Sequence, residues 1–323
     1  MREISAQHPV LVTGASGFVG GYLVKALAGH GIPESAVLAL SSNERALPGA
    51  HKTIQVDITD SAKVYDLIAA YRPAAVVHLA AVAQPAKAAR NQDLAWQVNV
   101  EGTRNLARAI MLKAPQARLV FASSSETYGA SFNDWPEGVA ESVSLRPMSA
   151  YGATKAAADV ALGQMAIDGL DVIRFRAFNH TGPGQAPNYV VPAFAEQVAR
   201  IEAGIQPPVM QVGNLDACRD FLDVRDVVKA YVLAALGQGL PGRAYNLSSG
   251  TGRPIQSVLD TLQSFTDVQI DVEIDPNRVR PSDVPYAIGN NSAVKSDFGW
   301  TPEFPFEQTL RDVLDGYRAT HAF

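Results

Sequence analysis

Residues 10–21, VLVTGASGFVGG, decide the fold. Gly14, Gly17 and Gly20 directly follow an apolar run and open an amphipathic stretch. Glycine suits such a turn because it tolerates dihedrals that other residues avoid, and because a Cβ would block the approach of the backbone to a pyrophosphate at a helix N-terminus. The stretch therefore predicts a strand, a phosphate-binding loop and a helix. A glycine-rich turn without a ligand has the same spacing, but the flanking strand and helix favour a dinucleotide site.

Strand and helix patterns alternate over the first half of the chain. Short β-branched apolar runs alternate with amphipathic segments, as in βαβ units whose parallel sheet is covered on both faces. The predicted strands are Val10–Thr13, Val37–Leu40, Ala75–Leu79, Leu119–Ser123 and Val172–Arg176. The predicted helices are Gly21–Ala28, Ala62–Tyr71, Asn99–Leu112 and Ala150–Ala166. We expect an α/β fold with a Rossmann-type doubly wound parallel sheet.

Beyond Phe178 this alternation is lost. Glycines and prolines crowd residues 182–187, and the strands that follow are shorter and more dispersed. We expect residues 1–178 to form a dinucleotide-binding Rossmann domain, to which the chain returns near residues 213–245. Residues 179–323 should form mainly a smaller, irregular region that binds the substrate. No low-complexity linker separates the two regions, so they should pack together.

Composition and charge argue against several classes of protein. The 323 residues include 27 Lys and Arg against 32 Asp and Glu, a formal net charge of -5, whereas non-specific nucleic-acid binders are usually basic. The one cysteine, Cys218, can form neither an internal disulfide nor a thiolate zinc site, which favours a reducing compartment. The amino terminus lacks a long apolar segment, and the apolar run at residues 74–82 is too short to span a bilayer. We expect a soluble cytoplasmic protein that binds neither nucleic acid, membrane nor metal.

The residues after the second predicted strand bear on the choice of cofactor. NAD sites usually carry an acidic residue about 20 positions beyond the glycine motif, where it accepts the ribose hydroxyls. Here that place is Ser41, followed by Arg45, so a hydroxyl and a cation are available for a 2′-phosphate. This favours NADP(H), although Glu44 leaves NAD(H) possible. Asp57 and Ile58 are placed to touch the adenine, unless Asp57 only caps the next helix.

Two further motifs carry candidate catalytic groups. Residues 121–129, FASSSETYG, lie at the carboxyl end of a predicted strand, where open α/β sheets bind ligands. Tyr151 and Lys155, in YGATK, lie four residues apart on one face of a predicted helix. Proton transfer by a phenol near neutral pH needs about 4 kcal/mol of phenolate stabilisation, part of which a neighbouring ammonium supplies. Ser124 is placed to hold a substrate oxygen against the phenol. Taken alone, such a Tyr/Lys pair is usually a solvated helix face.

Together these motifs resemble the extended short-chain dehydrogenase/reductase family of nucleotide-sugar epimerases, dehydratases and reductases. The matching pieces are TGASGFVG at 13–20, HLAA at 78–81, VNVEGT at 98–103, SSSETYG at 123–129, YGATK at 151–155 and RDFLDVRDV at 219–227. The resemblance implies that Ser124, Tyr151 and Lys155 form the catalytic triad, with Glu126 beside it and with Tyr151 and Lys155 also contacting the cofactor. The other cofactor contacts that it implies are Ser16, Phe18, Val19, Leu79, Ala80, Ala81, Asn99 and His180.

Residues 174–185, RFRAFNHTGPGQ, with residues 188–197, 212–221 and 280–285, resemble the branch of this family that acts on GDP-mannose derivatives. The resemblance implies NAD(P)H-dependent reduction of the C4 keto group of GDP-4-keto-6-deoxy-D-mannose to GDP-6-deoxy-D-mannose, also called GDP-D-rhamnose. Dehydration of GDP-mannose with Glu126 as the base is one alternative. Another nucleotide-sugar epimerase or reductase, for instance of GDP-heptose type, is a second. A catalytically silent NADP-sensing protein is more distant, because such proteins typically lose the Tyr or the Lys.

The resemblance also implies substrate contacts and an assembly. A GDP sugar carries a pyrophosphate, which the planar fork of an arginine can bind through two oxygens. Arg219 and Arg280 lie in the two motifs that the family uses for the nucleotide, although Arg219 has the alternative of an ion pair with Asp220 or Asp223. The other implied substrate contacts are Ser125, Glu126, Asn179, Val190 and Asp283, of which Asn179 and Asp283 have the alternative of capping local turns. A homodimer through a four-helix bundle that includes the YGATK helix is implied as well.

Overall fold

The computed structural model describes residues 2–41, 47–278 and 284–321. Three predicted site residues, Arg45, Arg280 and Asp283, lie outside the described residues, as does Glu44. Within the described ranges, none of the helices combines the length and the apolar character needed to cross a membrane.

Strands and helices are numbered here in chain order. The strands are β1 (Val10–Thr13), β2 (Val37–Ser41), β3 (Lys52–Gln55), β4 (Ala75–His78), β5 (Arg118–Ser124), β6 (Val172–Ala177), β7 (Asn179–Thr181), β8 (Val209–Val212), β9 (Cys218–Asp223), β10 (Ala244–Leu247), β11 (Gly252–Pro254), β12 (Asp271–Ile274) and β13 (Tyr286–Ala287). The helices are α1 (Phe18–Gly29), α2 (Ser61–Tyr71), α3 (Pro85–Arg90), α4 (Gln92–Trp96), α5 (Thr103–Lys113), α6 (Ala150–Ile167), α7 (Val190–Glu202), α8 (Val224–Ala235), α9 (Ile255–Gln263), α10 (Ser292–Phe298) and α11 (Phe306–His321). A π-helical turn, Gln97–Gly102, joins α4 to α5.

The main sheet has seven strands among the described residues, in the order β3-β2-β1-β4-β5-β6-β10. Every neighbouring pair in it is parallel. Its first six strands have the order of a doubly wound dinucleotide-binding sheet, whose direction of winding switches between β1 and β4. The predicted Rossmann-type fold is therefore confirmed. The carboxyl ends of β1 and β4, where such sheets bind ligands, carry the glycine loop and residues 79–81.

Helices cover both faces of this sheet. Because side chains alternate along each strand, successive strand residues pack against helices on opposite faces. Val10 and Val12 of β1 belong to a core cluster with α1 and α8, whereas Leu11 belongs to a second cluster with α2, α5 and α6. All four residues of β1 are buried. Burial on both faces explains why the central strands are almost continuously apolar in the sequence.

Three elements show why the structure differs from the sequence prediction. Helix α1 begins at Phe18 instead of Gly21, because Gly17 is its N-cap and the loop leads straight into it. Strand β3 was not predicted, since its residues, KTIQ, are partly or fully exposed and leave no apolar pattern. The helix predicted from Asn99 starts as the wider π turn and becomes α-helical only at Thr103.

Beyond β6 the chain builds smaller sheets and returns to the main one. Strand β7 begins two residues after β6 ends and pairs with β9, which also pairs with β11 and β13. Strand β8 pairs with β12, and helices α7, α9 and α11 share a third core cluster. The return consists of α8, which packs against α1, and of β10, which pairs with β6. The segment at β7 therefore lies between the main sheet and the smaller one.

A buried ion-pair cluster fixes α6 to the main sheet. Asp159 of α6 is fully buried, and its Oδ1 accepts hydrogen bonds from Arg174 Nη1 at 2.7 Å and Arg176 Nη2 at 3.0 Å. Arg176 also donates to the hydroxyl of Tyr128 at 3.0 Å. Breaking a buried pair leaves an uncompensated charge, which costs about 3–5 kcal/mol, so this cluster sets where α6 lies on β6.

Candidate functional site

The loop after β1 is shaped by contacts that leave no room for a side chain. Gly14 has a φ of +67°, and a Cβ on it would lie 2.8 Å from the backbone nitrogen of Ala80. A Cβ on Gly20 would lie 2.5 Å from the carbonyl oxygen of Gly14. Helix α1 can therefore begin directly over the end of the central strand.

The N-terminus of α1 is suited to an anion. Its N-cap is Gly17, without a side-chain cap, and its first turn carries no acidic residue. The first backbone N–H groups of a helix have no partner within it, and they carry the positive end of its dipole. Ser16 and Gly17 are exposed beside this end, whereas Phe18 and Val19 are half-buried. The loop therefore fits a dinucleotide pyrophosphate.

The end of β2 carries a pair of neutral hydroxyls. Ser41 is buried, and its Oγ lies 2.8 Å from Oγ of Ser16 in the phosphate-binding loop. An NAD site usually carries a carboxylate at this place, to accept the ribose hydroxyls. The pair of serines therefore brings no negative charge to the end of β2.

Asp57 and Ile58 follow β3. Asp57 is exposed, and its Oδ1 accepts hydrogen bonds from the backbone N–H of Thr59 at 2.9 Å and from its hydroxyl at 2.8 Å. The N-cap of α2 is Asp60 instead, which accepts from the backbone of Lys63. Ile58 is buried, and its side chain packs so closely on Gly102 that a Cβ there would lie 2.7 Å from it. Contact of Asp57 and Ile58 with an adenine stays a prediction.

The end of β4 lies against the glycine loop. The backbone N–H groups of Leu79 and Ala80 donate to Oγ1 of Thr13, each at 3.2 Å. Leu79, Ala80 and Ala81 are half-buried. They lie at the point where the winding of the sheet changes direction, which is where such sheets bind a dinucleotide.

A short turn after β5 meets the start of α6. Ser124 ends β5, and residues 125–127 form one 3-10 turn, in which the Glu126 N–H donates to Oγ of Ser124 at 3.2 Å. A Cβ on Gly152 would lie 2.6 Å from the carbonyl oxygen of Glu126, so the two backbones are in direct contact. The hydroxyl of Ser149, the N-cap of α6, donates to Oε2 of Glu126 at 2.7 Å. Ser125 is buried in this turn.

Tyr151 lies beside this turn, at the start of α6. Burial and then the negative charge of Glu126 raise the pKa of its phenol, while a hydrogen bond with Ser124 acts in the opposite direction. The phenol is therefore protonated at neutral pH and has a hydroxyl partner in Ser124. A protonated phenol held in this way can donate a proton to a substrate oxygen.

Lys155 lies one helical turn after Tyr151. Burial lowers the pKa of its ammonium to about 8, although Asp159 acts to raise it. Nζ donates to the carbonyl oxygen of Ala122 at 2.7 Å and lies 4.9 Å from the centre of the Phe121 ring. These contacts hold the amine at the carboxyl end of β5, close to the phenol that it would stabilise as a phenolate.

The side chain of Asn99 faces the protein interior. Its Oδ1 accepts from the N–H of Val82 at 2.7 Å, and its Nδ2 donates to Oγ1 of Thr154 at 2.9 Å. Asn99 is buried, at 1% exposure. The predicted cofactor contact of Asn99 would therefore have to be made without these side-chain atoms.

Strand β7 and helix α7 bring further predicted residues towards the site. Asn179 is exposed on β7, and Val190 is half-buried at the start of α7. His180 Nδ1 donates to the carbonyl oxygen of Phe178 at 2.9 Å, which leaves Nε2 as the acceptor. Burial lowers the pKa of His180, so it is neutral at neutral pH.

Arg219 lies on β9 next to the segment that leads into β13. Its Nη1 donates to the carbonyl oxygens of Cys218 and Val284, both at 2.9 Å. The two carboxylates considered as its ion-pair partners have other contacts. Asp220 accepts from backbone N–H groups, and Asp223 pairs with a different arginine. Whether Arg219 binds substrate phosphate stays a prediction.

Tyr189 is a residue of the site that the sequence analysis missed. It precedes α7 and is 38% exposed. Burial and then the charge of Glu126 raise its pKa, and Tyr189 in turn acts electrostatically on Tyr151. The phenol therefore lies near Glu126 and Tyr151, where a substrate would bind. The one signal in the sequence is an aromatic residue directly after a glycine- and proline-rich segment.

The structure thus brings the turn at Ser124 and Glu126 together with Tyr151 and Lys155. Across the described ranges, no group of three or more His, Cys, Asp or Glu residues is arranged to hold a metal ion. The arrangement combines an anion-binding loop, a proton-donating phenol and a nearby amine. It can support redox chemistry at a carbonyl or carbinol carbon with a bound dinucleotide.

Comparison with known proteins matches this architecture. The family model for GDP-mannose 4,6 dehydratase matches residues 11–313. A GDP-6-deoxy-D-mannose reductase of Pseudomonas aeruginosa is 32% identical over 96% of this chain and 97% of that protein. GDP-mannose 4,6 dehydratase 2 of Arabidopsis thaliana is 28% identical over 94% of this chain and 85% of that protein. The solved structure of RMD from Pseudomonas aeruginosa complexed with NADPH superposes with a TM-score of 0.85 at 29% identity, over 97% of this chain and 99% of that one.

Substitutions at two neighbouring glycines distinguish the effect of the loop geometry from the effect of helix propensity. A Cβ on Gly20 would meet the Gly14 carbonyl oxygen at 2.5 Å, whereas a Cβ on Gly21 meets nothing within 4 Å. We expect Gly20→Ala to weaken the binding of NADPH, the cofactor that the sequence favours, by at least about 10-fold, or about 1.4 kcal/mol. Gly21→Ala should leave affinity unchanged and stabilise α1 by about 0.5–1 kcal/mol. Fluorescence titration with NADPH measures the first effect and thermal unfolding the second. Equal affinities for the two variants would contradict this account of the loop.

Proposed function

The chain belongs to the GDP-mannose 4,6 dehydratase family, within the extended short-chain dehydrogenases/reductases, and we propose that it reduces the C4 keto group of GDP-4-keto-6-deoxy-D-mannose to GDP-6-deoxy-D-mannose with NADPH. One observation carries the proposal. The similarity to a GDP-6-deoxy-D-mannose reductase extends over 96% of the chain and includes the segments that hold Ser124, Tyr151 and Lys155. The product is a GDP-linked deoxy sugar.

The phosphate-binding loop supports a dinucleotide as the cofactor. Gly14 lets the loop lie in backbone contact with Ala80, Gly20 lets α1 lie in backbone contact with the loop, and the N-terminus of α1 has no side-chain cap. We infer that Ser16 and the backbone N–H groups of Phe18 and Val19, in the first turn of α1, hold the pyrophosphate, and that Leu79, Ala80 and Ala81 line the path towards the nicotinamide. When bound, the reduced nicotinamide supplies the hydride for the C4 carbonyl.

Tyr151 is the proposed proton donor. Its raised pKa keeps the phenol protonated, so that it can donate to the C4 oxygen as negative charge develops there. Ser124 lies beside the phenol and would hold the same oxygen by a hydrogen bond. The ammonium of Lys155 would stabilise the phenolate that remains, and it would also bind the nicotinamide ribose. Because burial lowers the pKa of Lys155 to about 8, this support is present below that pH and is lost as the pH rises through it.

The substrate is proposed to lie between the main sheet and β7, β9 and α7. Arg219 would bind the pyrophosphate of GDP, with Asn179, Val190, Ser125 and Glu126 around the sugar. Arg280 and Asp283 complete the proposed set. We likewise propose the division of the chain into a dinucleotide-binding region, 1–178, and a nucleotide-sugar-binding region, 179–323.

Glu126 keeps dehydration of GDP-mannose as a second candidate. Its charge raises the pKa of Tyr151, so the carboxylate lies beside the proposed proton donor. A dehydratase needs such a base to remove the proton at C5 of the sugar. Ser149 donates to Oε2 of Glu126 at 2.7 Å, so this carboxylate oxygen already has a hydrogen-bond donor.

The cytoplasm is the proposed location. Cys218 is the single cysteine of the chain and is free and buried. A free thiol is usual in a reducing compartment.

A coupled assay tests the proposed reaction. GDP-4-keto-6-deoxy-D-mannose is generated in place by a separate dehydratase, NADPH oxidation is followed by absorbance, and the product is identified by NMR. We expect stoichiometric NADPH loss with GDP-6-deoxy-D-mannose as the product. Water loss from GDP-mannose by this chain alone, without net NADPH oxidation, would establish the dehydratase instead.

In the same assay Tyr151→Phe should reduce kcat by about 100- to 10,000-fold, because it removes the proton donor. NADPH affinity should change little. Tyr65→Phe is the matched control, since Tyr65 lies exposed on α2. Turnover of Tyr151→Phe at the rate of the control would contradict the role of Tyr151.

The hydroxyls of Ser41, at the end of β2, and of Ser16, in the phosphate-binding loop, support NADPH over NADH as the cofactor. At the described end of β2 a 2′-phosphate would meet the Ser41 hydroxyl in place of a carboxylate, and Arg45 follows four residues later in the sequence as a cation. Ser41→Asp should shift the ratio of kcat/KM values for NADPH and NADH towards NADH by at least about 10-fold, through repulsion of the phosphate and acceptance of the ribose hydroxyls. Ser257→Asp, exposed on α9, is the control. An unchanged ratio in Ser41→Asp would place the 2′-phosphate elsewhere.

A homodimer through α5 and α6 is the proposed assembly. Leu112, Val160 and Ile167 are 66%, 61% and 86% exposed on these helices, and Met111 and Met165 line a surface cavity of about 390 Å³ between them. Such apolar surface on two adjacent helices fits a four-helix bundle between copies.

Light scattering should therefore give a mass of about twice 34.4 kDa. Val160→Asp should lower it towards one chain, because the substitution buries a charge in the bundle. Val268→Asp, whose exposure is 40% at a site distant in sequence, should leave the mass unchanged. A single-chain mass for the wild type would rule out the dimer.

A further inference from the structure

A series of buried hydrogen bonds begins beneath the phosphate-binding loop. Thr13, the last residue of β1, accepts at Oγ1 from the N–H groups of Leu79 and Ala80, and this oxygen lies 2.7 Å from Nδ1 of His78. On the other side of the ring, Nε2 of His78 lies 2.9 Å from Oγ1 of Thr103, the first residue of α5. His78 therefore bridges the central strand and the helix beside it.

The series continues through the π turn to the catalytic helix. The Thr103 hydroxyl donates to the carbonyl oxygen of Asn99 at 2.7 Å, and Nδ2 of Asn99 donates to Oγ1 of Thr154 at 2.9 Å. The Thr154 hydroxyl donates to the carbonyl oxygen of Tyr151 at 2.8 Å. Five side chains make up this series, which we call the buried relay, and each is at most 1% exposed: Thr13, His78, Asn99, Thr103 and Thr154.

The hydrogens of the buried relay have one consistent arrangement. A carbonyl oxygen only accepts, so the single hydroxyl hydrogen of Thr103 goes to Asn99, and Thr103 must accept from Nε2–H of His78. Burial and then the charge of Lys155 lower the pKa of His78 to about 3, so the ring is neutral and its Nδ1 is an acceptor. The Thr13 hydroxyl must therefore donate to Nδ1.

The same reasoning fixes the other end of the buried relay. The Thr154 hydroxyl donates its one hydrogen to the carbonyl oxygen of Tyr151, so its Oγ1 accepts from Nδ2 of Asn99. The Asn99 amide cannot be flipped, because its Oδ1 accepts the N–H of Val82 at 2.7 Å. Loss of any one hydroxyl would leave a buried donor or acceptor unpaired. The structure would have to shift to satisfy it.

We propose that the buried relay consists of positioning residues that couple the phosphate-binding loop to Tyr151, so that dinucleotide affinity depends on the hydroxyl of Thr154. The inference rests on the proposed function, which places NADP(H) in the loop and assigns proton donation to Tyr151. Neither partner of the Thr154 hydroxyl, Asn99 or Tyr151, belongs to the loop. Because Tyr151 and Lys155 are themselves proposed to contact the cofactor, a loss of affinity on breaking the relay at Thr103 distinguishes transmission through the relay from displacement of these two residues.

The test is the affinity of Thr154→Val for NADPH, measured by fluorescence titration of the full chain without any sugar. Couplings between sites in proteins typically change affinity by about 5-fold or more. We expect the dissociation constant of NADPH to rise by about 5-fold in Thr154→Val and to return to near the wild-type value in Thr154→Ser, which keeps the hydroxyl. An unchanged constant in Thr154→Val would overturn the proposal.

Thr309→Val is the matched control for loss of a buried threonine hydroxyl. Thr309 of α11 is fully buried, and its hydroxyl donates to Oδ2 of Asp223 at 2.8 Å, outside the relay. Both variants should lose thermal stability, but only Thr154→Val should lose NADPH affinity. An equal loss of affinity in Thr309→Val would make the effect a consequence of general destabilisation and would contradict coupling through the relay.

A second substitution in the relay provides the same test if Thr154→Val does not fold. Thr103→Val breaks the link between His78 and Asn99 and should weaken NADPH binding to a similar extent. Where both variants fold, the dissociation constant of NADPH for the double variant should equal the larger of the two single-variant constants, because one break already uncouples the relay. Multiplied effects would show two independent sites and overturn the proposal. A wild type that binds NADPH but reduces no GDP sugar would contradict the proposed function alone.

Discussion

The site depends on backbone segments that lie closer together than any side chain would allow. At Gly14 the loop touches the end of β4, at Gly20 helix α1 touches the loop, and at Gly152 helix α6 touches the turn after β5. In each place a Cβ would lie 2.8 Å or less from a backbone atom. These three contacts fix the positions of the anion-binding end of α1, of the turn at Ser124 and of the start of α6, which carries Tyr151. The arrangement of the proposed site is thus a consequence of the positions of these glycines.

Burial, with buried charge acting beside it, then determines the protonation states of Tyr151 and Lys155. Asp159 is paired with Arg174 and Arg176, which fixes α6, and its charge also acts to raise the pKa of Lys155. Burial outweighs that effect, so Lys155 titrates at about 8. Tyr151 is held protonated, as a donor for reduction must be. The ion-pair cluster that anchors α6 therefore also limits how far burial lowers the pKa of Lys155.

The sequence predicted those parts of the site whose chemistry is local. Glycine spacing after an apolar run identified the loop and β1, and the four-residue spacing of Tyr151 and Lys155 placed them on one helix. Parts that depend on distant contacts were not predictable. The π turn directs the Asn99 side chain to Val82 and Thr154, and Asp60 caps α2 in place of Asp57. Tyr189 was missed because its nearness to Glu126 joins two segments that are far apart in the sequence.

The most direct measurement of the central claim follows the transferred hydrogen. NADPH with deuterium at both hydrogen positions on C4 of its nicotinamide is given to the enzyme with GDP-4-keto-6-deoxy-D-mannose, and the sugar is analysed by NMR. The account predicts deuterium at C4 of GDP-6-deoxy-D-mannose, one atom per molecule of NADPH oxidised. Absence of deuterium from C4 of the sugar, with the label still on the nicotinamide, would contradict it.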